Sequence, residues 1–192
     1  MRIVGGRFRG RVLATPRSQD IRPTTDRTRE SLFNILTHGY EAAVEGRRML
    51  DLFAGTGAVG FEALSRGALY VHFVEQSAEG CSLLRANMET LNVREQTGLS
   101  RRDATNLGKA GEKQPFDLVF ADPPYGQGLG DRALGHLALG GWIAENALVI
   151  LEENKDVAPG PGDAYQMVEK RIFGDSAMHF YRYRPDALLP IQ

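Results

Sequence analysis

One stretch limits the fold more than any other. The short apolar run Met49–Phe53 passes directly into Gly55-Thr56-Gly57-Ala58-Val59-Gly60. The run reads as a buried strand, and Val59–Ser65, stopped at Gly67, reads as a helix. Strand, glycine turn and helix in this order build the ligand-binding edge of an open α/β sheet. Glycines let the backbone turn tightly and come close to a ligand, and the helix N-terminus offers unpaired N–H groups. The G-x-G-x-x-G spacing by itself suits a dinucleotide-dependent oxidoreductase as well as any other nucleotide-like ligand.

The rest of the chain continues the alternation. Arg2–Val4 and Arg11–Ala14, joined through Gly5, Gly6 and Gly10, predict a hairpin ending at Pro16. Thr24-Thr25-Asp26 suits a helix start, and Leu32, Ile35 and Leu36 share a face of a helix over Arg27–His38. Tyr70–Val74 predicts a strand ending at Glu75. Ser77 caps a helix whose inner face is Cys81, Leu84, Met88 and Leu91, with Asn92 closing it. Thr97–Arg101 is a weaker strand and Phe116–Ala121 a strong one. Residues 131–139 predict a helix and Ala147–Leu151 a strand. Gln166–Phe173 and Ala177–Tyr183 form a closing hairpin around Gly174-Asp175. Strands separated by helices imply a parallel sheet covered on both faces, and the final hairpin adds one antiparallel strand near its edge.

Three acidic positions fall where such sheets bind ligands, at the carboxyl ends of strands. Asp51 precedes the first glycine by four residues. A carboxylate there suits a cationic group, such as the amino group of a methionine moiety. Beside a pyrophosphate it would be repelled. Glu75 can accept hydrogen bonds from two ribose hydroxyls. Asp103, followed by Ala104, is placed to accept from an adenine amino group or simply to cap the turn at Thr105-Asn106.

Asp122-Pro123-Pro124-Tyr125 is the most informative tetrapeptide. Two prolines stiffen the turn and remove two donors, leaving a site rich in acceptors. That suits a planar NH2 group, whose lone pair is delocalised into a ring. Hydrogen bonds from the amine to Asp122 and the Pro123 carbonyl would orient it and return electron density to nitrogen. Tyr125 can stack on a base.

Charge supplies the partner class. The chain has a formal net charge of −1, yet residues 1–30 hold eight arginines, no lysine and three acids, a net +5. Arginine's planar fork pairs bidentately with phosphate, so this basic arm points to a polyanion. Arg7, Arg9 and Arg11 alternate along an expected extended run and would project to one side. Cys81 is the single cysteine and the four histidines are scattered. Neither a disulfide nor a metal site is expected. No apolar run follows the N-terminal arginines and none reaches transmembrane length, so a cytoplasmic location without membrane attachment is expected.

These segments together resemble the bacterial 16S rRNA guanine-N2 methyltransferases of the small ribosomal subunit, the RsmD family. The resemblance runs from Arg2 to about Tyr183. It is carried by Arg2-Ile3-Val4-Gly5-Gly6 with Arg9-Gly10-Arg11, by Arg22-Pro23-Thr24 and by Arg29–Leu36. It continues through Leu50–Gly57, Glu62–Ala68 and Asp117–Tyr125. It implies a Rossmann-like class I methyltransferase. Such a fold has a seven-stranded, mostly parallel sheet with helices on both faces and an N-terminal β-hairpin extension. Residues 1–26 would be the basic RNA-contacting extension and 27–192 the methyltransferase domain. S-adenosyl-L-methionine would be the cofactor, and 16S rRNA or the small subunit the partner of a monomeric enzyme.

Under this resemblance Asp51, Gly55 and Gly57 line the methionine end of the cofactor, Glu75 holds the ribose and Asp103 the adenine. Phe53, Ala54, Thr56 and Ala104 complete the cofactor set. Asp122, Pro123, Pro124 and Tyr125 form the catalytic turn, and Arg7, Arg9, Arg11, Arg22, Thr24 and Arg27 contact RNA. Three other readings compete. One is transfer to adenine N6 or another planar amine on DNA, RNA or protein. Another is an NAD-dependent oxidoreductase, which leaves Asp51 and the Asp122 turn unexplained. The last is a non-catalytic RNA-binding module, which has no chemical need of Asp122.

Overall fold

The computed structural model describes residues 1–16, 25–40 and 43–188. Seven strands form one sheet in the order β3-β2-β1-β4-β5-β7-β6. They are β1 (Arg48–Leu52), β2 (Tyr70–Val74), β3 (Thr97–Ser100), β4 (Phe116–Ala121), β5 (Ile143–Asn154), β6 (Tyr165–Phe173) and β7 (Ser176–Tyr183). All neighbouring pairs from β3 to β5 are parallel, whereas β7 runs antiparallel to both β5 and β6. The expected closing hairpin is therefore present, and its second strand is the one inserted beside β5.

Side-chain alternation sets the two layers. Along β4, Leu118 and Phe120 enter one core and Val119 and Ala121 the other, as successive residues of a strand must. The first core is covered by α1 (Asp26–Gly39), α2 (Ala58–Ser65) and α3 (Ala78–Leu91). The second is covered by α4 (Leu129–Gly140) and the segment around Ala104–Ala110. Helix starts follow local chemistry. Thr25 accepts from the Thr28 amide at the head of α1, and Ser77 from the Gly80 amide at the head of α3. Asn92, in the left-handed region, ends α3.

The N-terminal segment is a hairpin with one correction. Arg2 bridges Val12, and the Ile3 amide bonds the Arg11 carbonyl. Between these, Gly6–Phe8 form a turn of 3₁₀ helix, with Gly6 and Gly10 at φ +71° and +83°. Positive φ at both glycines breaks the extended run, so Arg7, Arg9 and Arg11 do not share one side of a strand. The hairpin packs on the first core through Ile3 and Leu13. It lies along α2. Glu62, fully buried, accepts from the Val4 and Gly5 amides and pairs with Arg66. At the far end of α2, the Ser65 hydroxyl accepts from the Phe8 amide. At the near end, Asn87 of α3 bonds both Ala14 and the Thr56 carbonyl.

Two further differences have physical causes. Arg29 belongs to the arginine-rich arm by sequence but is 1% exposed, pairing with Asp26 and donating to the Arg2 carbonyl. It anchors the hairpin to α1 instead of facing a partner. β5 is 12 residues long instead of the five in Ala147–Leu151. Its last three residues, two glutamates and an asparagine, lie beyond the expected strand. They are held in the sheet by pairing with β7 from Met178 to Ser176.

Candidate active site

The chain builds β1, β2 and β3 outward in one direction and β4 and β5 in the other, so the strand order reverses between β1 and β4. A crevice opens at the carboxyl ends of such strands. Here it is a cleft of about 680 Å³. Phe53, Gly55, Glu75, Ala104, Asp122, Pro123, Pro124 and Tyr125 line it, joined by Val74, Gln76, Ser77, Glu79 and Arg102. Eight of the predicted site residues thus meet in one space, although they come from four separate strand ends.

The glycine loop is held from below and from the side. Gly57 has φ +78°, and a side chain there would meet Leu84 and Phe61 at 2.5 and 2.6 Å. Gly60 lets α2 approach β1 closely enough for its amide to donate to Asp51 Oδ2 at 3.0 Å. Phe53 turns into the loop at φ +55°, a region that a non-glycine residue enters at a cost and that recurs at ligand sites. Glu75 ties the loop to α3: Oε2 accepts from the Gly55 amide at 2.9 Å and Oε1 from the Ser77 amide at 2.7 Å. Each oxygen keeps a second lone pair for a ligand hydroxyl.

The electrostatics are strongly one-sided. Asp51 is 2% exposed and has no ion pair among the described residues. Burial first, and the nearby Glu75 charge second, push its carboxyl up to about 8 even though the Gly60 amide opposes this. Asp122 is raised well above the usual carboxylate range by burial, then by Glu152 and Asp51. The Tyr125 hydroxyl works the other way. Burial also raises the Tyr125 phenol, with Asp122 and Glu152 adding to it.

The remaining predicted residues sit near the cleft without lining it, or away from it. Asp51 lies beneath the glycine loop. Ala54, Thr56 and Gly57 shape that loop, and the Thr56 carbonyl is held by Asn87. Asp103 is exposed, and its Oδ1 accepts from both the Thr105 amide and hydroxyl at 2.8 Å, capping the short turn Ala104–Asn106. Arg7 and Arg9 lie at the hairpin tip beside Ser65, about 12 Å along α2 from the glycine loop at 1.5 Å per residue. Arg7 donates to Gln96. Arg11 and Arg27 are exposed, and Arg22 and Thr24 lie outside the described residues.

Comparison with known proteins places this geometry in a family. Residues 1–182 match the family model described as Conserved hypothetical protein 95. Ribosomal RNA small subunit methyltransferase D of Haemophilus influenzae is 34% identical over 95% of this chain and 93% of its own length. The chain belongs to the ribosomal RNA small subunit methyltransferase D family. Its Escherichia coli K12 member is 34% identical over 95% of this chain and 89% of its own. The solved structure of yhhF from Escherichia coli superposes with a TM-score of 0.82 at 32% identity, covering 96% of this chain and 98% of that one. The sheet order, the helices on both faces and these relatives make the fold that of a Rossmann-like class I methyltransferase.

S-adenosyl-L-methionine is the cofactor that this family implies, and the cleft's residues fit it. A sulfonium and an ammonium need anionic neighbours, and Asp51 is a buried acid with no ion pair among the described residues. A ribose needs acceptors, which Glu75 offers at the end of β2. Glu152 and Glu153 were not expected from the sequence. They are 5% and 4% exposed, and both bond the Asp122 turn: Glu152 accepts from the Tyr125 hydroxyl and Glu153 from the Gly126 amide. Their signal was the same as for Asp51 and Glu75, acids at the end of an apolar strand.

Proposed function

We propose that the chain transfers a methyl group from S-adenosyl-L-methionine to the exocyclic N2 amino group of a guanine in 16S rRNA. It would act as a cytoplasmic monomer on the RNA or on the small ribosomal subunit. The observation that carries the reading is the shared cleft. The Glu75-held glycine loop and the Asp122-Pro123-Pro124-Tyr125 turn open into one space, as a donor site and a planar-amine site must. The family relatives, named for ribosomal RNA, supply the substrate class. The turn chemistry suits any planar amine, and the choice of guanine N2 over adenine N6 rests on the RsmD resemblance. Among the described residues no helix is long and apolar enough to cross a membrane.

When bound, the cofactor supplies a methyl group on a positively charged sulfur. Every other part of the chemistry belongs to this chain. Glu75 and the Gly55 loop would hold the ribose, Asp51 beneath that loop would face the cationic end, and Asp103 with Ala104 would border the adenine. Asp122 and the Pro123 carbonyl accept the two N–H bonds of the target amine and fix its direction. As nitrogen gains the methyl it must shed a proton. A carboxyl raised above its ordinary range by burial, as Asp122 is, is a stronger base for that proton than an unperturbed carboxylate. Tyr125, 41% exposed at the cleft mouth, offers its ring face to the base. Residues 1–26 would contact RNA through Arg7, Arg9, Arg11, Arg22 and Thr24, with Arg27 beside them, and residues 27–192 would carry the chemistry.

The test is label transfer from methyl-labelled cofactor to small ribosomal subunits, naked 16S rRNA, double-stranded DNA and bulk protein. Label in the rRNA-containing samples is the expected result. Label confined to DNA or protein would overturn the proposal.

A further inference from the structure

Tyr125 can meet a base in one orientation only if its side chain is held. The turn after β4 is short and its tyrosine ring lies at the cleft mouth, where an unsupported side chain would sample several rotamers. Three contacts prevent this. The Tyr125 hydroxyl donates to Glu152 Oε1 at 2.9 Å. The Ser176 hydroxyl, from β7, donates to the same oxygen at 2.7 Å and fixes the carboxylate from behind. One residue on, Glu153 Oε1 accepts from the Gly126 amide at 3.0 Å and pins the backbone as it leaves the turn.

Glu152 is a costly choice for a purely structural position. It is 5% exposed, has no ion pair among the described residues, and its Oε2 is buried without a hydrogen-bond partner. A buried acid with half its acceptor capacity unused, one hydrogen bond from a cleft, asks for a reason beyond packing. The β5–β7 pairing that keeps it in the sheet sets Glu152 opposite Met178, two residues from Ser176, on a rigid frame.

We infer that Glu152, braced by Ser176, is a positioning residue: it fixes the Tyr125 ring against the target base and so the Asp122 turn against the amine. The inference rests on the proposed transfer to a base amine. Glutamine at position 152 keeps an oxygen that can accept from the tyrosine hydroxyl, whereas alanine does not. A misplacement of about 1 Å near reacting atoms costs on the order of a hundredfold in rate.

The experiment combines kinetics with a readout independent of substrate. Rates of methyl transfer to rRNA and cofactor affinities are measured for Glu152→Gln, Glu152→Ala, Tyr125→Phe and the Tyr125→Phe/Glu152→Ala double variant. In parallel, fluorotyrosine NMR follows the Tyr125 signal, assigned by its loss in Tyr125→Phe. Glu152→Ala and Tyr125→Phe are each expected to lower kcat roughly ten- to hundredfold with cofactor affinity unchanged. Glu152→Gln should retain kcat within a few-fold, and the double variant should be no worse than the poorer single, because both remove one interaction. The Tyr125 signal should sharpen and move toward that of an exposed tyrosine in Glu152→Ala. Multiplying losses in the double variant, or an unmoved Tyr125 signal, would overturn the inference. If Tyr125 moves as expected while the wild-type protein labels no rRNA, the positioning contact stands and the substrate reading fails.

Discussion

Asp51 gives the sharpest test of how this cleft accepts a cationic cofactor. Its carboxyl is buried, accepts a hydrogen bond from the Gly60 amide, and is pushed up to about 8 by burial. At pH 7 a group of that pKa carries roughly 0.9 of a proton. Binding a cation requires the ionised form, so binding at pH 7 should release close to one proton from Asp51, with any release from Asp122 adding to it. Affinity should then rise about ninefold from pH 6 to 7 and about fivefold from pH 7 to 8, and level off above that. Calorimetry at pH 6, 7, 8 and 9, in pairs of buffers with different ionisation enthalpies, reads both the slope and the proton count. Asp51→Asn should bind more weakly at pH 8 and lose about one released proton at pH 7. A wild-type affinity that is flat from pH 6 to 8, with no proton release, would refute the reasoning.

Other outcomes follow from the same structure. Asp51 is raised from 3.8 in the unfolded chain to about 8, so its contribution to stability is present below 3.8 and lost as pH rises through about 8. Thermal melts of the free protein should show that loss, and saturating S-adenosylhomocysteine should reduce it. Asp122→Ala should lower turnover by at least about a hundredfold while leaving cofactor affinity within a few-fold, read by single-turnover kinetics and calorimetry. Glu75→Ala removes the acceptor for the Gly55 and Ser77 amides as well as for a ribose. It should weaken cofactor binding by ~1–3 kcal/mol. Glu62→Ala strips the hairpin of its buried anchor and leaves Arg66 unpaired, so it should cost about 3 kcal/mol of stability by denaturant titration.

The sequence disclosed the cleft better than its supports. Asp51, Glu75 and Asp122 were legible because each ends a short apolar run, and a parallel sheet brings all such ends to one edge whatever their separation along the chain. The glycine loop was legible because few other residues tolerate φ near +78° beside Leu84 and Phe61. Glu152 and Glu153 escaped notice because β5 ends in polar residues, and only the returning β7 holds them in the sheet. Glu62 and Asn87 looked like ordinary polar positions on helices. They are fully buried because the N-terminal hairpin lies over them, a long-range contact with no periodicity to announce it. The same packing changes the meaning of the arginine-rich arm. Arg29 is consumed as a core anchor and Arg7 leans on Gln96, so charge count alone overstated the face offered to a polyanion.

Methylation of a guanine N2 of 16S rRNA at the Asp122 turn, the activity proposed above, can be measured directly. The most direct measurement is mass spectrometry of nucleosides from small-subunit RNA treated with the protein and isotopically labelled S-adenosylmethionine, with Asp122→Ala run in parallel. The expected result is label in N2-methylguanosine, reduced at least about a hundredfold with the Asp122→Ala protein. Label in N6-methyladenosine, or N2-methylguanosine made equally well by Asp122→Ala, would contradict it.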